Sequence, residues 1–288
     1  MRGLPDWLIY CLALGAFVWV LFSIDGRRFA DPALPEGDRP GRLLPPESGL
    51  DPQVLVDVGP VTSGLGTAFA IDTNGWWVTA KHVVADCERV GIVVGRRPGG
   101  GDRPAAAAVS NIRSSPTSDL ALLKTQSAPA ALALDLSEDD LRVGQVAFHI
   151  GFPQGRQGEA MSVLAEREVL VQRGRYTGRE PVLSWAERSR TSGLTGALSG
   201  MSGGPALDAN GRVISVTIAE SSRRGRIYTA APSSLRKLLE DERAVVTPNG
   251  EPARRMSERD YGLTADALRR SLAVAQVVCV ANNPAGPT

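Results

Sequence analysis

Aromatic residues are scarce in this 288-residue chain, at 5%, and histidine is scarcer still, with only His82 and His149. Two imidazoles make a metal centre only if carboxylates complete it. Neither a His-Glu-x-x-His helix nor an EF-hand loop occurs, so no metal or other cofactor is expected. Cysteine is limited to Cys11, Cys87 and Cys279, too few for a disulfide framework and without zinc-site spacing. Charge of one sign is lacking too: 32 Lys and Arg against 31 Asp and Glu leave a formal +1. There is no field to gather nucleic acid, and no basic stripe interleaved with aromatics. Glycine (31) and proline (20) are plentiful instead, beside an ordinary 43% of hydrophobic residues. That balance suits a turn-rich β architecture with a sizeable core.

An uncharged and almost wholly apolar run, WLIYCLALGAFVWVLFSI, occupies residues 7–24. As a helix it spans about 27 Å, close to the roughly 30 Å hydrocarbon thickness. A cleaved signal peptide has a shorter apolar region and a small-x-small cleavage site, whereas this chain runs on as Asp25-Gly-Arg-Arg28, so residues 1–24 read as a transmembrane anchor. Arg2 precedes the run, and Arg27, Arg28, Arg39 and Arg42 follow it. By the positive-inside count, the C-terminal part would be cytoplasmic. Residues 25–58 hold six prolines and no apolar period, and read as a tether.

From Val61 onward, short apolar runs alternate with turn residues. GTAFAI (66–71), WWVTA (76–80), VGIVV (90–94), LALLK (120–124), QVAFHI (145–150) and RVISVTIA (212–219) predict strands. Asn74-Gly75 and Asn210-Gly211 mark hairpins, because both residue types tolerate positive φ. Many short antiparallel strands imply a sandwich or barrel. Ser233 or Ser234 is placed to cap a helix over LRKLLEDER, ending about Arg243. The sequence thus divides into an anchor (1–24), a tether (25–58), a main domain (59–243) and a tail (244–288). In the tail, the pattern predicts a short helix (about Ala265 to Leu272) and a strand (Val274 to Val280).

Three positions carry chemistry. Ser202 lies in Gly200-Met-Ser-Gly-Gly-Pro205, where flanking glycines permit a tight turn and leave backbone N–H groups free to face a developing oxyanion. The segment also satisfies G-x-S-x-G. The α/β-hydrolase order of Ser, acid, His is excluded, however, because both histidines precede Ser202. His82 follows a predicted strand in WWVTAKHVVADC, and its reference pKa of about 6.5 suits a general base. His149 sits inside an alternating strand and reads as structural. Asp119 opens the apolar strand of SDLALLK, where a carboxylate is costly unless paired. Pairing with His82 would fix the ring tautomer.

Together, GTAFAIDTNGWWVTAKHVV, SDLALLK, GQVAFHIGFPQG and GMSGGPALDANGRVISV resemble the trypsin-like serine peptidases, and within them the bacterial HtrA/Deg-type branch, over about residues 60–240. The resemblance implies an all-β, chymotrypsin-like fold of two antiparallel six-stranded barrels with a C-terminal helix. It also implies a catalytic triad of His82, Asp119 and Ser202, and an oxyanion hole from the N–H groups of Gly200 and Ser202. Its expected activity is endopeptidase cleavage of unfolded or damaged polypeptides near the membrane, with the domain extracytoplasmic, against the positive-inside count. A catalytically silent chaperone or binding module on the same fold is the alternative. Three departures stand out. Met201 occupies the position before the nucleophile and can form no ion pair with a new N-terminus. Where that branch usually carries PDZ domains, only the short tail of residues 244–288 is read, so no PDZ domain is expected. Gly196, where cation-cleaving relatives carry an acid, and Thr217-Ile218-Ala219 outline a substrate pocket suited to small or medium apolar side chains. In an extracytoplasmic domain a Cys87–Cys279 disulfide would pin the tail; buried free thiols are the other reading.

Overall fold

The computed structural model describes residues 41–58, 64–96, 104–174, 177–244 and 254–281. The expected anchor (residues 1–24) and the first part of the tether lie outside the described residues. Among the described residues, no helix is long and apolar enough to cross a membrane.

Fourteen strands occur among the described residues: β1 (Gln53–Val58), β2 (Gly64–Ala70), β3 (Trp76–Ala80), β4 (Cys87–Arg96), β5 (Pro104–Ala108), β6 (Asn111–Ser114), β7 (Leu120–Lys124), β8 (Val146–Gly151), β9 (Gly158–Gly174), β10 (Gly178–Arg190), β11 (Pro205–Leu207), β12 (Val213–Ser221), β13 (Arg226–Ala230) and β14 (Val274–Ala281). Helices α1 (Lys81–Val84), α2 (Pro232–Asp241) and α3 (Tyr261–Arg270) complete the set. The first sheet runs β5-β4-β14-β2-β3-β7-β6, antiparallel throughout. The second runs β1-β9-β10-β13-β12-β11-β8, and a β8–β9 pairing closes six of its strands into a ring. An all-β, two-sheet architecture therefore forms, but each sheet counts seven strands rather than the expected six. The seventh strand of the second sheet is β1, which pairs parallel to β9 outside the ring. In the first sheet, β14 from the tail lies between β2 and β4.

These additions revise the expected boundaries. Residues 53–58, assigned to the tether, form β1, with Val54 buried, and Leu44 is buried as well. Pro45, Pro46 and Pro52 made the preceding stretch read as tether and hid a strand that itself contains no proline. The tail contributes to the first sheet: β14 pairs along most of its length with two neighbours, and Cys279 is disulfide-bonded to Cys87 with Cα atoms 5.6 Å apart. Helix α3 crosses to the second sheet. Its buried Arg269 contacts Glu159 and donates to the Gly158 carbonyl (2.9 Å), and Tyr261 stacks on Phe148 with centroids 5.3 Å apart. The predicted serine cap of α2 is corrected as well. Ala231 is the N-cap, Pro232 takes the first turn, and the distant Glu138 accepts the Ser233 N–H at 2.6 Å.

Where turns were predicted they form for the expected reason. Gly75 and Gly211 have φ of 96° and 75°, and the carboxylates of Asp72 and Asp208 accept the N–H groups of Trp76 and Arg212 (both 2.8 Å). Apolar faces of both sheets meet in a core containing Phe69, Trp77, Leu122, Phe148 and Val216.

Candidate active site

Strand β3 ends at Ala80, and burial of Val83 and Val84 folds the next residues into the single turn of α1. The β3–β7 register sets Ala80 opposite Leu120, so Asp119 falls beside residues 81 and 82. Three contacts follow. The Lys81 N–H donates to the Asp119 carbonyl (3.1 Å), the His82 N–H donates to Asp119 Oδ1 (2.9 Å), and His82 Nδ1 lies 2.5 Å from Oδ2. One carboxylate thus grips both the backbone and the ring of His82. With Nδ1 protonated toward Asp119, Nε2 is the acceptor nitrogen. Asp119 is 4% exposed and the His82 side chain 28%, so the carboxylate is shielded while the imidazole reaches solvent.

The turn carrying Ser202 is held against the other sheet. The Thr67 N–H of β2 donates to the Ser202 carbonyl (2.9 Å). Gly203 has φ 86°, and a methyl group added there would lie 2.1 Å from the Thr67 carbonyl and 2.8 Å from the Ala80 nitrogen. Only glycine allows this approach, which sets Ser202 beside the end of β3, two residues before His82. Gly200 has φ 98°, and its carbonyl accepts the Thr67 hydroxyl (2.7 Å). Met201 is an apolar anchor, 1% exposed and packed with Leu198 and Ala160, and its N–H is committed to the Leu198 carbonyl (2.9 Å). On either side of it, the Gly200 and Ser202 N–H groups donate to no carbonyl or side chain among the described residues.

On β12, the Thr217 backbone accepts the Gly203 N–H (2.7 Å) and donates to the Gly204 carbonyl (2.9 Å), bracketing the residues after Ser202. Its hydroxyl turns inward to His149 Nδ1 (3.0 Å), and His149 Nε2 reaches Ser162 (2.7 Å). His149 is fully buried, and burial drives its pKa down to about 3, so it is a neutral structural group far from general-base work. Ile218 is buried, Ala219 is half-buried and Gly196 is exposed. The Gly196 carbonyl accepts Arg190 Nη1 (2.7 Å), and Arg190 in turn grips Glu187. Glu220, with its pKa raised by burial, accepts the Leu198 N–H.

Several residues here went unnoticed in the sequence. Thr67 accepts the Phe152 N–H (3.1 Å) while donating to Gly200. Gln154, in left-handed conformation, bonds the carbonyls of Thr195 (2.7 Å), Ala197 (2.9 Å) and Ser199 (2.5 Å). Glu180, on β10 of the opposite sheet, accepts the Asp119 N–H (2.9 Å). Thr67 lay within the strand assigned to residues 66–71, and Gln154 within the family-like segment GQVAFHIGFPQG, but neither was singled out. Glu180 lies among arginines in RGRYTGREP, a run that looks solvated.

Residues 66–216 match the family model described as a trypsin-like peptidase domain. The chain is similar to a DegP-like periplasmic serine endoprotease of Brucella suis biovar 1 (strain 1330). The two are 31% identical over 189 residues, 64% of this chain and 33% of that protein. A protein of the same description from Chlamydia trachomatis serovar D is 29% identical over 180 residues, 62% of this chain and 33% of its own length. The chain therefore spans about a third of the length of these curated relatives. A protease from M. tuberculosis, solved in its active form, gives a TM-score of 0.48 at 17% identity, over 76% of this chain and 97% of that one.

Proposed function

The chain belongs to the trypsin-like peptidase family, and on that premise we propose that it is a serine endopeptidase with His82, Asp119 and Ser202 as its catalytic triad. One observation carries the reading: Asp119 holds His82 by backbone and ring at once, beside the turn that presents Ser202. In this mechanism Ser202 attacks the peptide carbonyl while His82 Nε2 takes the hydroxyl proton. The imidazolium, stabilised by Asp119, returns that proton to the leaving amine. Water, deprotonated by the same ring, then releases the acyl group. The Gly200 and Ser202 N–H groups, which donate to no other acceptor among the described residues, receive the oxyanion; losing one such donor lowers the rate by about 10²–10³.

For the substrate side, we read Gly196, Thr217, Ile218 and Ala219 as the pocket rim. It favours a small or medium apolar residue before the scissile bond, since none of the four offers a charge to offset burial of a cation. The substrates are unfolded or damaged polypeptides near a membrane, with residues 1–24 as the anchor and the domain extracytoplasmic. The Cys87–Cys279 disulfide and the periplasmic description of the relatives support that placement over the positive-inside count.

The test is labelling of the full chain with a fluorophosphonate, followed by mapping of the modified peptide and a casein digest. Modification at Ser202, and loss of both labelling and proteolysis in Ser202→Ala, are expected. Proteolysis undiminished in Ser202→Ala would remove the assignment. An unlabelled, inactive wild type would instead indicate a silent binding module on this fold.

A further inference from the structure

We propose that Glu180 is a positioning residue for the His82–Asp119 pair, acting from the opposite sheet through the Asp119 backbone and through its own charge. The inference rests on the active-site reading above. Three observations carry it. First, Glu180 is on β10, in the sheet that carries Ser202, whereas Asp119 and His82 belong to the other sheet. Its Oε2 accepts the Asp119 N–H at 2.9 Å, one of the two side-chain hydrogen bonds it makes among the described residues. The other, from Gln172 Nε2 to Oε1, is longer at 3.4 Å. Second, Glu180 is only 3% exposed, a depth at which an ionised carboxylate is costly without a full set of partners. Third, a cavity of about 60 Å³ opens beside it, lined by Lys81, Ser118, Asp119, Gln172, Arg179 and Glu180 among others. That is room for water, and so a route by which a proton can leave.

The consequence is electrostatic. The charged groups acting on Glu180 are Asp119 and His82 across the sheet boundary and Lys81 on α1, while Arg179, its neighbour on β10, lines the same cavity. Burial, reinforced by the charge of Asp119, raises the Glu180 pKa to about 8, against the opposing pull of the Asp119 N–H, His82 and Lys81. At neutral pH the residue is therefore a neutral acid. It satisfies the Asp119 N–H without setting a second negative charge beside the carboxylate that orients His82. Above about pH 8 it ionises, repels Asp119 and draws water into the cavity. Both bonds from Asp119 to His82 then loosen, and acylation of Ser202 slows.

Rates of fluorophosphonate labelling of the full chain, measured from pH 6 to 10 and separated into maximal rate and half-saturation, test this. For the wild type we expect a decline above about pH 8 in the maximal rate alone. Glu180→Gln, which keeps an acceptor for the Asp119 N–H but cannot ionise, should match the wild type at pH 7 and lack the decline. Glu180→Ala, which leaves that N–H unpartnered, should be slower by about 10–100-fold at all pH values with half-saturation unchanged. If Glu180→Ala does not fold, the pH profile of Glu180→Gln decides the matter alone. A decline retained in Glu180→Gln, or absent from the wild type, overturns the role of Glu180 while leaving the triad standing. Absence of labelling in the wild type at every pH removes the triad, and this inference with it.

Discussion

The Cys87–Cys279 disulfide offers a quantitative test of how the tail is built in. It joins residues 192 positions apart, the start of β4 to the end of the last strand. In the chain-entropy model a loop of that length removes roughly 18 cal/mol/K from the unfolded ensemble, or about 5 kcal/mol at 25 °C. Real bonds return less, so we expect Cys87→Ala/Cys279→Ala to lose about 3–5 kcal/mol. At about 2–4 °C per kcal/mol for a body of this size, Tm should fall by about 6–20 °C. The strand itself should stay in place at 25 °C, because β14 keeps its hydrogen bonds to β2 and β4, and His82 is held by Asp119 rather than by Cys87. Calorimetric melts of the oxidised wild type, the reduced wild type and the double variant make the comparison. Reductant should bring the wild type down to the variant and leave the variant unmoved. Thiol titration of the denatured, unreduced chain should find one free cysteine, Cys11. Three free thiols, or superimposable melts of oxidised wild type and variant, would refute the reasoning.

Two further outcomes follow from packing and titration. Gly203→Ala forces a methyl group to within 2.1 Å of the Thr67 carbonyl at φ 86°, so the turn must move away from β2 and β3. Labelling at Ser202 should drop by about 10² or more while β-sheet circular dichroism persists; a normal labelling rate would show that the close approach is dispensable. Stability should peak between about pH 4.5 and 6.5. His149, near 3 when folded against 6.5 when exposed, makes the unfolded chain the better proton acceptor, so stability falls as pH drops through that window. Glu180, near 8 against 4.5, makes the folded chain the better acceptor, so stability falls as pH rises from 4.5 to 8. Each slope is about 1.4 kcal/mol per pH unit, and the two cancel where the windows overlap. Urea midpoints at pH 4, 5.5 and 8 check this, and a monotonic trend across the three would contradict it.

Local chemistry was readable directly from the residues. Alternating apolar runs marked β2, β3, β4, β7, β8 and β12, and Asn-Gly pairs marked two of the turns, because side-chain direction and positive φ are decided within a few residues of chain. The motifs around His82, Asp119 and Ser202 were readable for the same reason. The hairpin of β9 and β10 was not. Glu166, Arg167 and Glu168 interrupt its pattern, and only the folded neighbours make Arg167 tolerable inside, where it meets Glu138 at 2.7 Å and the Pro45 carbonyl at 2.8 Å. Strand pairing across the length of the chain was equally hidden. Alternation announces that residues 274–280 form a strand, yet nothing local says that its partners begin at residues 64 and 87. Residue identity therefore determined seven of the strands (β2, β3, β4, β7, β8, β12 and β14), two of the turns and the candidate residues His82, Asp119 and Ser202. Tertiary structure alone decided that the tail strand β14 joins β2 to β4, and that a glutamic acid from the far sheet lies against Asp119. Those outcomes depend on register and burial between segments more than 60 residues apart, where one sequence pattern is compatible with many pairings.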